Sequence, residues 1–148
     1  MKRTIRTATK SRLQRLLQDS PTLYDVQVLW GDETGAPDRE HIRLGDVTGT
    51  LNIPVMSAGR RYRDDRYSVN LYVYVGIPGL SPQEAEERCE ELCHVIGDVL
   101  ADDFSLGDLD GLVSAELGEF AGPVSYASSE GAVAWAGPLR IEAHARLM

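Results

Sequence analysis

The stretch Arg66-Tyr-Ser-Val-Asn-Leu-Tyr-Val-Tyr-Val75, continued by Gly76-Ile-Pro-Gly-Leu80 and Ser81-Pro-Gln-Glu-Ala85, decides how the chain is read. Tyr67, Val69, Leu71, Val73 and Val75 alternate with Ser68, Asn70, Tyr72, Tyr74 and Gly76, which is the period of a half-buried strand. Pro78-Gly79 ends it. Ser81 then supplies an N-cap, Pro82 suits the first helical position, and Glu84 completes a capping box. At about 100° per residue, Ala85, Cys89, Leu92, Cys93, Ile96, Val99 and Leu100 fall on one arc roughly 120° wide. Glu87, Glu90, Glu91, His94 and Asp98 lie on the far side. A strand and a helix with one apolar face each are expected to pack on each other, so Arg66 to Asp103 forms the core unit.

The remaining composition bounds what this unit serves. A chain of 148 residues suits one domain with a single sizeable core. No apolar run approaches the ~20 residues of a membrane span, and the basic start Met1 to Arg6 is not followed by a signal-like apolar segment, so cytoplasmic folding is expected. Cys89 and Cys93, four residues apart on the apolar helix face, have poor geometry for a disulfide and no second pair to complete a zinc site. They read as reduced core residues.

Net charge is −8, unevenly spread. The first 18 residues carry six basic side chains and no acid, a charge of +6; the other 130 carry 9 basic and 23 acidic ones, a charge of −14. Two readings stand side by side: a solvated basic helix face, or a docking surface for an acidic partner such as a neighbouring copy.

In chain order, Ile5, Thr9, Leu13, Leu16 and Leu17 form a helical stripe, ended by Asp19-Ser20-Pro21. Residues 1–8 are expected to include a loose arm. Asp25 to Trp30 and His41 to Leu44 read as short strands. Gly49, Pro54 and Gly59 break the segment from Val47 to Arg66, which reads as an extended excursion or loop. Leu112 to Phe120 is a further strand, Ser125 to Gly131 a connection, and Ala132 to Ala136 extended. A closing alternation runs from Leu139 to Leu147 after the bend residues Gly137-Pro138. The expectation is an α+β domain over residues 1–148, a mostly antiparallel sheet with two helices packed on it.

Catalytic patterns are weak. His41 and His144 fall on strands and His94 on the polar helix face, without paired metal-ligand spacing. Gly45-Asp46-Val47-Thr48-Gly49 lacks the lysine and the context of a phosphate-binding loop. No cofactor and no enzymatic activity are expected.

The order of elements, the segment Arg39-Glu-His-Ile-Arg-Leu-Gly-Asp-Val47, the long strand Ser68 to Val75, the Pro78-Gly79 turn, the helix beginning Ala85-Glu-Glu-Arg88 and the closing strand Arg140 to Leu147 resemble one family. This is the family of tail terminator (minor tail, or tail-to-head joining) proteins of long-tailed, siphovirus-type phages of actinobacterial hosts. The likeness spans roughly Leu13 to Leu147, rests on element order rather than a site motif, and does not extend to the 47–66 excursion. It implies a virion structural protein, assembled in the host cytoplasm. Members form a ring, typically hexameric, on the head-proximal end of the tail tube. The ring stops tube polymerisation, offers a docking surface to the head-completion or connector protein, and passes DNA through its lumen without reading sequence. No membrane association is implied.

Within that reading, subunit-interface residues are expected at Arg12 and Arg15 on the first helix, Arg60, Arg61, Arg63 and Arg66 before the long strand, and Glu87, Glu91 and Asp98 on the second helix. The alternatives are another neck component or the tube protein itself. A different class is a small α+β enzyme or ligand-binding domain using His41, His144 and an acid such as Glu142 or Asp46 around a pocket. A third is a DNA-binding module built on Arg60 to Arg66, which the acidic balance disfavours.

Overall fold

The computed structural model describes residues 4–31, 39–51, 55–57 and 60–147, with the side chains of 50, 51, 55–57 and 60–63 left out. The described residues form an α+β fold: helix α1 (Arg6–Asp19), a 3-10 turn (Pro21–Leu23), strands β1 (Gln27–Trp30), β2 (Glu40–Leu51), β3 (Val55–Ser57) and β4 (Arg60–Val75), helix α2 (Pro82–Asp102), and strands β5 (Leu112–Phe120), β6 (Val124–Ser128) and β7 (Gly131–Leu147). The sheet runs β1-β2-β4-β7-β5, with β3 on β4 and β6 on β7. All pairings are antiparallel except β1 with β2.

The central strand does what its alternation requires. Tyr67, Val69, Leu71, Val73 and Val75 are buried, and α2 lies over that side through Ala85, Cys89, Leu92, Cys93, Ile96 and Leu100. Thr9, Leu13 and Leu17 of α1 join the same core beside β1 and β2. Both helices therefore cover one sheet face. The α2 capping box is present: Glu84 N donates to Ser81 Oγ (3.2 Å) and Ser81 N donates to a Glu84 carboxylate oxygen (3.1 Å). Replacing the cap oxygen leaves that amide without its partner, so Ser81→Ala is expected to cost about 1 kcal/mol. A melt should show it as a fall of about 3 °C.

Cys89 and Cys93 are free and buried. A hydrogen bond with Cys93, reinforced by burial, pushes the Cys89 thiol up, and Cys89 Sγ points at the Val73 carbonyl, 3.9 Å away.

Three expectations change. Residues 6–8 are helical rather than a loose arm, because Arg6 and Thr4 both donate to Asp65 on β4 (2.8 Å each at the closest). Of the 47–66 excursion, residues 52–54 and 58–59 lie outside the described residues, and the rest is paired backbone. β2 continues to Leu51 opposite Asp65, past a register shift at Gly45-Asp46, and β3 pairs with the start of β4. Ser125 to Gly131 is mostly strand β6, and Ala132–Ala136 and Leu139–Leu147 belong to one strand, β7, whose pairing with β4 shifts register at the expected bend Gly137-Pro138.

Candidate functional site

From Asp64 to Tyr74 the even-numbered β4 residues point away from the helices, onto a sheet face that no described element covers. Three aromatic side chains, from β4 and β7, lie there. Tyr74 is cross-strand to His41 on β2 and to Trp135 on β7, so the three form a row. His41 stacks on Tyr74 with centroids 4.7 Å apart, and Tyr126 meets Trp135 edge-on at 5.5 Å. Burial raises the Tyr74 hydroxyl pKa, so it stays protonated. Tyr72 lies beside this row, over two glycines. A Cβ at Gly45 would meet its Cε2 at 2.8 Å, and one at Gly137 would strike its Cδ1. The glycines on β2 and β7 let the ring lie down on the sheet.

Tyr72, Val124, Tyr126 and Trp135 remain 38–51% exposed, a contiguous apolar patch of the kind that marks an interaction site. Arg39, His41 and Arg43 line the same cleft, about 540 Å³, together with Tyr72, Tyr74 and Trp135, and among the described residues no acid lines it. A second hollow of about 470 Å³ shares Arg43 and Tyr72 and adds Asp46 and Lys10, whose ammonium sits 4.2 Å from the Trp30 ring centroid. In the sequence, Tyr72 and Tyr74 read only as the outward phase of the strand. Their aromatic character on a face otherwise occupied by Ser68 and Asn70 was the signal available.

The other end of this face is an ion-pair cluster. His144 and Arg146 meet the same Asp64 oxygen at 3.1 and 3.2 Å, and Ser68 donates to Glu142. The His144 hydrogen bond, and then the Arg146 one, hold the Asp64 carboxyl below its ordinary 3.8. A depressed carboxyl stabilises the fold above its unfolded pKa and loses that contribution as pH falls through the folded value. Asp64→Asn should therefore lower stability at pH 6 but leave it unchanged well below pH 3.8, as read by urea midpoints across an acid series. His41 and His144 do not converge. Their β4 partners, Tyr74 and Arg66, are eight positions apart, roughly 27 Å at ~3.4 Å per residue. The pocket of the enzyme alternative is not assembled from these histidines. Among the described residues, no three His, Cys, Asp or Glu side chains form a metal-holding group.

The expected interface residues occupy separate places. Arg12 is half-buried and reaches the carbonyls of Leu106 and Gly107 (3.4 and 3.3 Å), so part of the basic segment is used inside the chain. Arg15 is exposed. Arg66 is exposed on the bare face, while Arg60, Arg61 and Arg63 belong to β4 with side chains outside the described residues. Glu87, Glu91 and Asp98 are exposed on α2. That acidic face is tied into its own chain: Glu91 pairs with Arg88 (3.1 Å), which also holds Glu40 on β2, and Glu87 accepts from Gln83 (3.0 Å). These contacts tie α2 to itself and to β2, and leave the helix strongly acidic.

No described helix is long and apolar enough to cross a membrane. Comparison of the chain with protein-family models and with curated proteins finds no match.

Proposed function

We propose that this chain is a tail terminator of a long-tailed phage: a virion protein whose copies close into a ring on the head-proximal end of the tail tube. The observation that carries the reading is the two-sidedness of the domain. One sheet face is sealed by two helices, and the other presents an exposed aromatic patch edged by arginines. Tyrosine, tryptophan and arginine concentrated in one exposed patch are the residues that dominate protein–protein contacts. The charge split of the chain supports the same reading, because unlike surfaces on one subunit favour head-to-tail contacts, which close when the rotation permits.

The function follows from interfaces rather than from bond chemistry. A closed ring seated on the last tube layer covers the surface on which the next tube subunit would add, and its opposite rim receives the head connector. The test is a polymerisation assay with the tube protein of the same phage, tube lengths being measured by electron microscopy. Added chain should shorten the tubes in proportion to its concentration and appear as a cap at one end. Unchanged lengths with no capped ends would contradict the proposal, and incorporation along the tube would assign the chain to the tube itself.

A further inference from the structure

We propose that free copies of this chain pair through β6, strand against strand across a two-fold axis, so that two sheets join into one. An edge strand is a template for another strand unless charge, a bulge, a proline or a covering element blunts it. The other long edges of this sheet are blunted. Gln14 and Gln18 of α1 both donate to the Val28 carbonyl of β1 (3.5 and 3.4 Å). Arg6 donates to the Gly49 carbonyl where β2 runs on past β1 (3.4 Å). β5 gives its Ala115 N–H to the Phe104 carbonyl (2.8 Å), carries Glu116 and Glu119, and shifts register between Leu117 and Phe120. β3 and the end of β4 beyond β7 run for three residues each. β6, Val124-Ser-Tyr-Ala-Ser128, is different: it has five residues and no charge, and among the described residues its backbone pairs with β7 alone.

The bonding phase of β6 fixes a register. Ala132, across from Ala127, donates its N–H to the Leu80 carbonyl (2.9 Å), away from β6. That cross-strand pair therefore exchanges no hydrogen bond, and Ala127 turns its own N–H and C=O outward; by alternation Ser125 does the same. Two copies run antiparallel and centred on Tyr126 set Ser125 of one protomer against the partner's Ala127, so each outward N–H meets an outward C=O. The two Tyr126 residues then form a close, non-hydrogen-bonded pair, about 4.5 Å between Cα atoms. Val124, Tyr126 and Trp135, exposed on the bare face, become one apolar surface shared by both copies. β6 is thus its own complement in length, phase and charge. A two-fold contact is closed on itself and is not a link of a head-to-tail ring, so the pair is a form of the free chain that parts as a ring closes. One five-residue strand falls short of the roughly 800 Å² per partner of a stable complex, which suits a contact that must be released.

The experiment is sedimentation velocity of the full chain over a concentration series without tube subunits, for the natural sequence, Ala127→Pro, Tyr126→Lys and Tyr126→Glu. Proline at 127 removes an outward N–H and spares the β7 ladder, and thermal melts check that every variant folds. The natural chain should be a monomer–dimer mixture, and Ala127→Pro should weaken the pairing about tenfold. Tyr126→Lys and Tyr126→Glu each set like charges face to face and should weaken it about as much. Their equimolar mixture should pair again, because Lys then meets Glu. The contact holds no ion pair and brings Glu86, held by Ser125 Oγ at 2.8 Å, to the same side of both copies, so added NaCl should leave it intact or tighten it. A natural chain that is monomeric throughout, or that forms species larger than a dimer, overturns the pairing. So does pairing unchanged in all three variants, a Lys and Glu mixture that stays monomeric, or dissociation by salt. Tube capping is measured separately: Ala127→Pro should still cap tubes, and loss of capping would assign the β6 edge to the assembly and overturn the proposal. A natural chain that pairs as described and caps no tubes would leave the pairing standing and remove the ring reading.

Discussion

Arg6→Ala is expected to lower the unfolding free energy by about 3 kcal/mol, the lower end of the range for stripping one partner from a buried ion pair. The Asp65 side chain is fully buried while Arg6 is 23% exposed, so the loss falls on the carboxylate, which keeps Thr4 as a donor. The hydrogen bond to Asp65 is also what raises the Arg6 pKa. The reverse change, Asp65→Ala, should cost less, about 1–2 kcal/mol, because the guanidinium can swing into water. Urea denaturation of the two variants checks the order. Equal losses would mean that the buried carboxylate is not what makes the pair matter.

Gly49→Ala should destabilise by a similar amount, about 3 kcal/mol, at the upper end of overpacking costs. Gly49 has φ +156° and sits opposite Tyr67, so a Cβ there would lie 2.5 Å from the Arg66 carbonyl oxygen and 2.7 Å from Tyr67 Cα. These are backbone atoms of the central strand, which cannot give way as a side chain does. Gly45→Ala offers the contrast, since its Cβ would meet the edge of the Tyr72 ring at 2.8 Å and the nearest backbone atom, the Asn70 carbonyl oxygen, only at 3.2 Å. It should cost less stability and displace the ring that floors the cleft. A stability loss for Gly49→Ala under 1 kcal/mol would show that β2 and β4 can separate there.

These positions also mark where sequence reading stops. The strand–helix unit was legible because each of its parts is local: alternation over ten residues, a capping box within four, an apolar arc repeated along one helix. Gly49 looked like a breaker, since glycine in a loop and glycine under a close strand crossing leave the same letter. Arg6 and Asp65 are 59 residues apart, and neither residue's neighbours announce the other. The continuation of β2 to Leu51 escaped for a related reason. The register shift at Gly45-Asp46 interrupts the period on which a strand is recognised, although pairing resumes at Val47 opposite Val69.

The candidate surface was half legible. The acidic side of α2 follows from helical geometry alone, and Glu87, Glu91 and Asp98 are exposed as their phase required. The cleft was not, because it is assembled across β2, β4 and β7 and depends on which strands are neighbours. Arg12 was expected at a subunit interface, and its side chain reaches carbonyls of its own chain. Arg43 was not singled out, and it lines both hollows of the bare face. Long-range pairing, rather than residue type, decides those assignments.

The central claim is that copies of this domain close into a ring that caps a tube. Native mass spectrometry of the purified chain, alone and after incubation with tube subunits of the same phage, tests it most directly. The account predicts one closed species at a fixed multiple of the chain mass, six for the expected hexamer, present alone or appearing when tube ends are supplied. A monomer in both conditions, or an open series of masses without a preferred size, would contradict it.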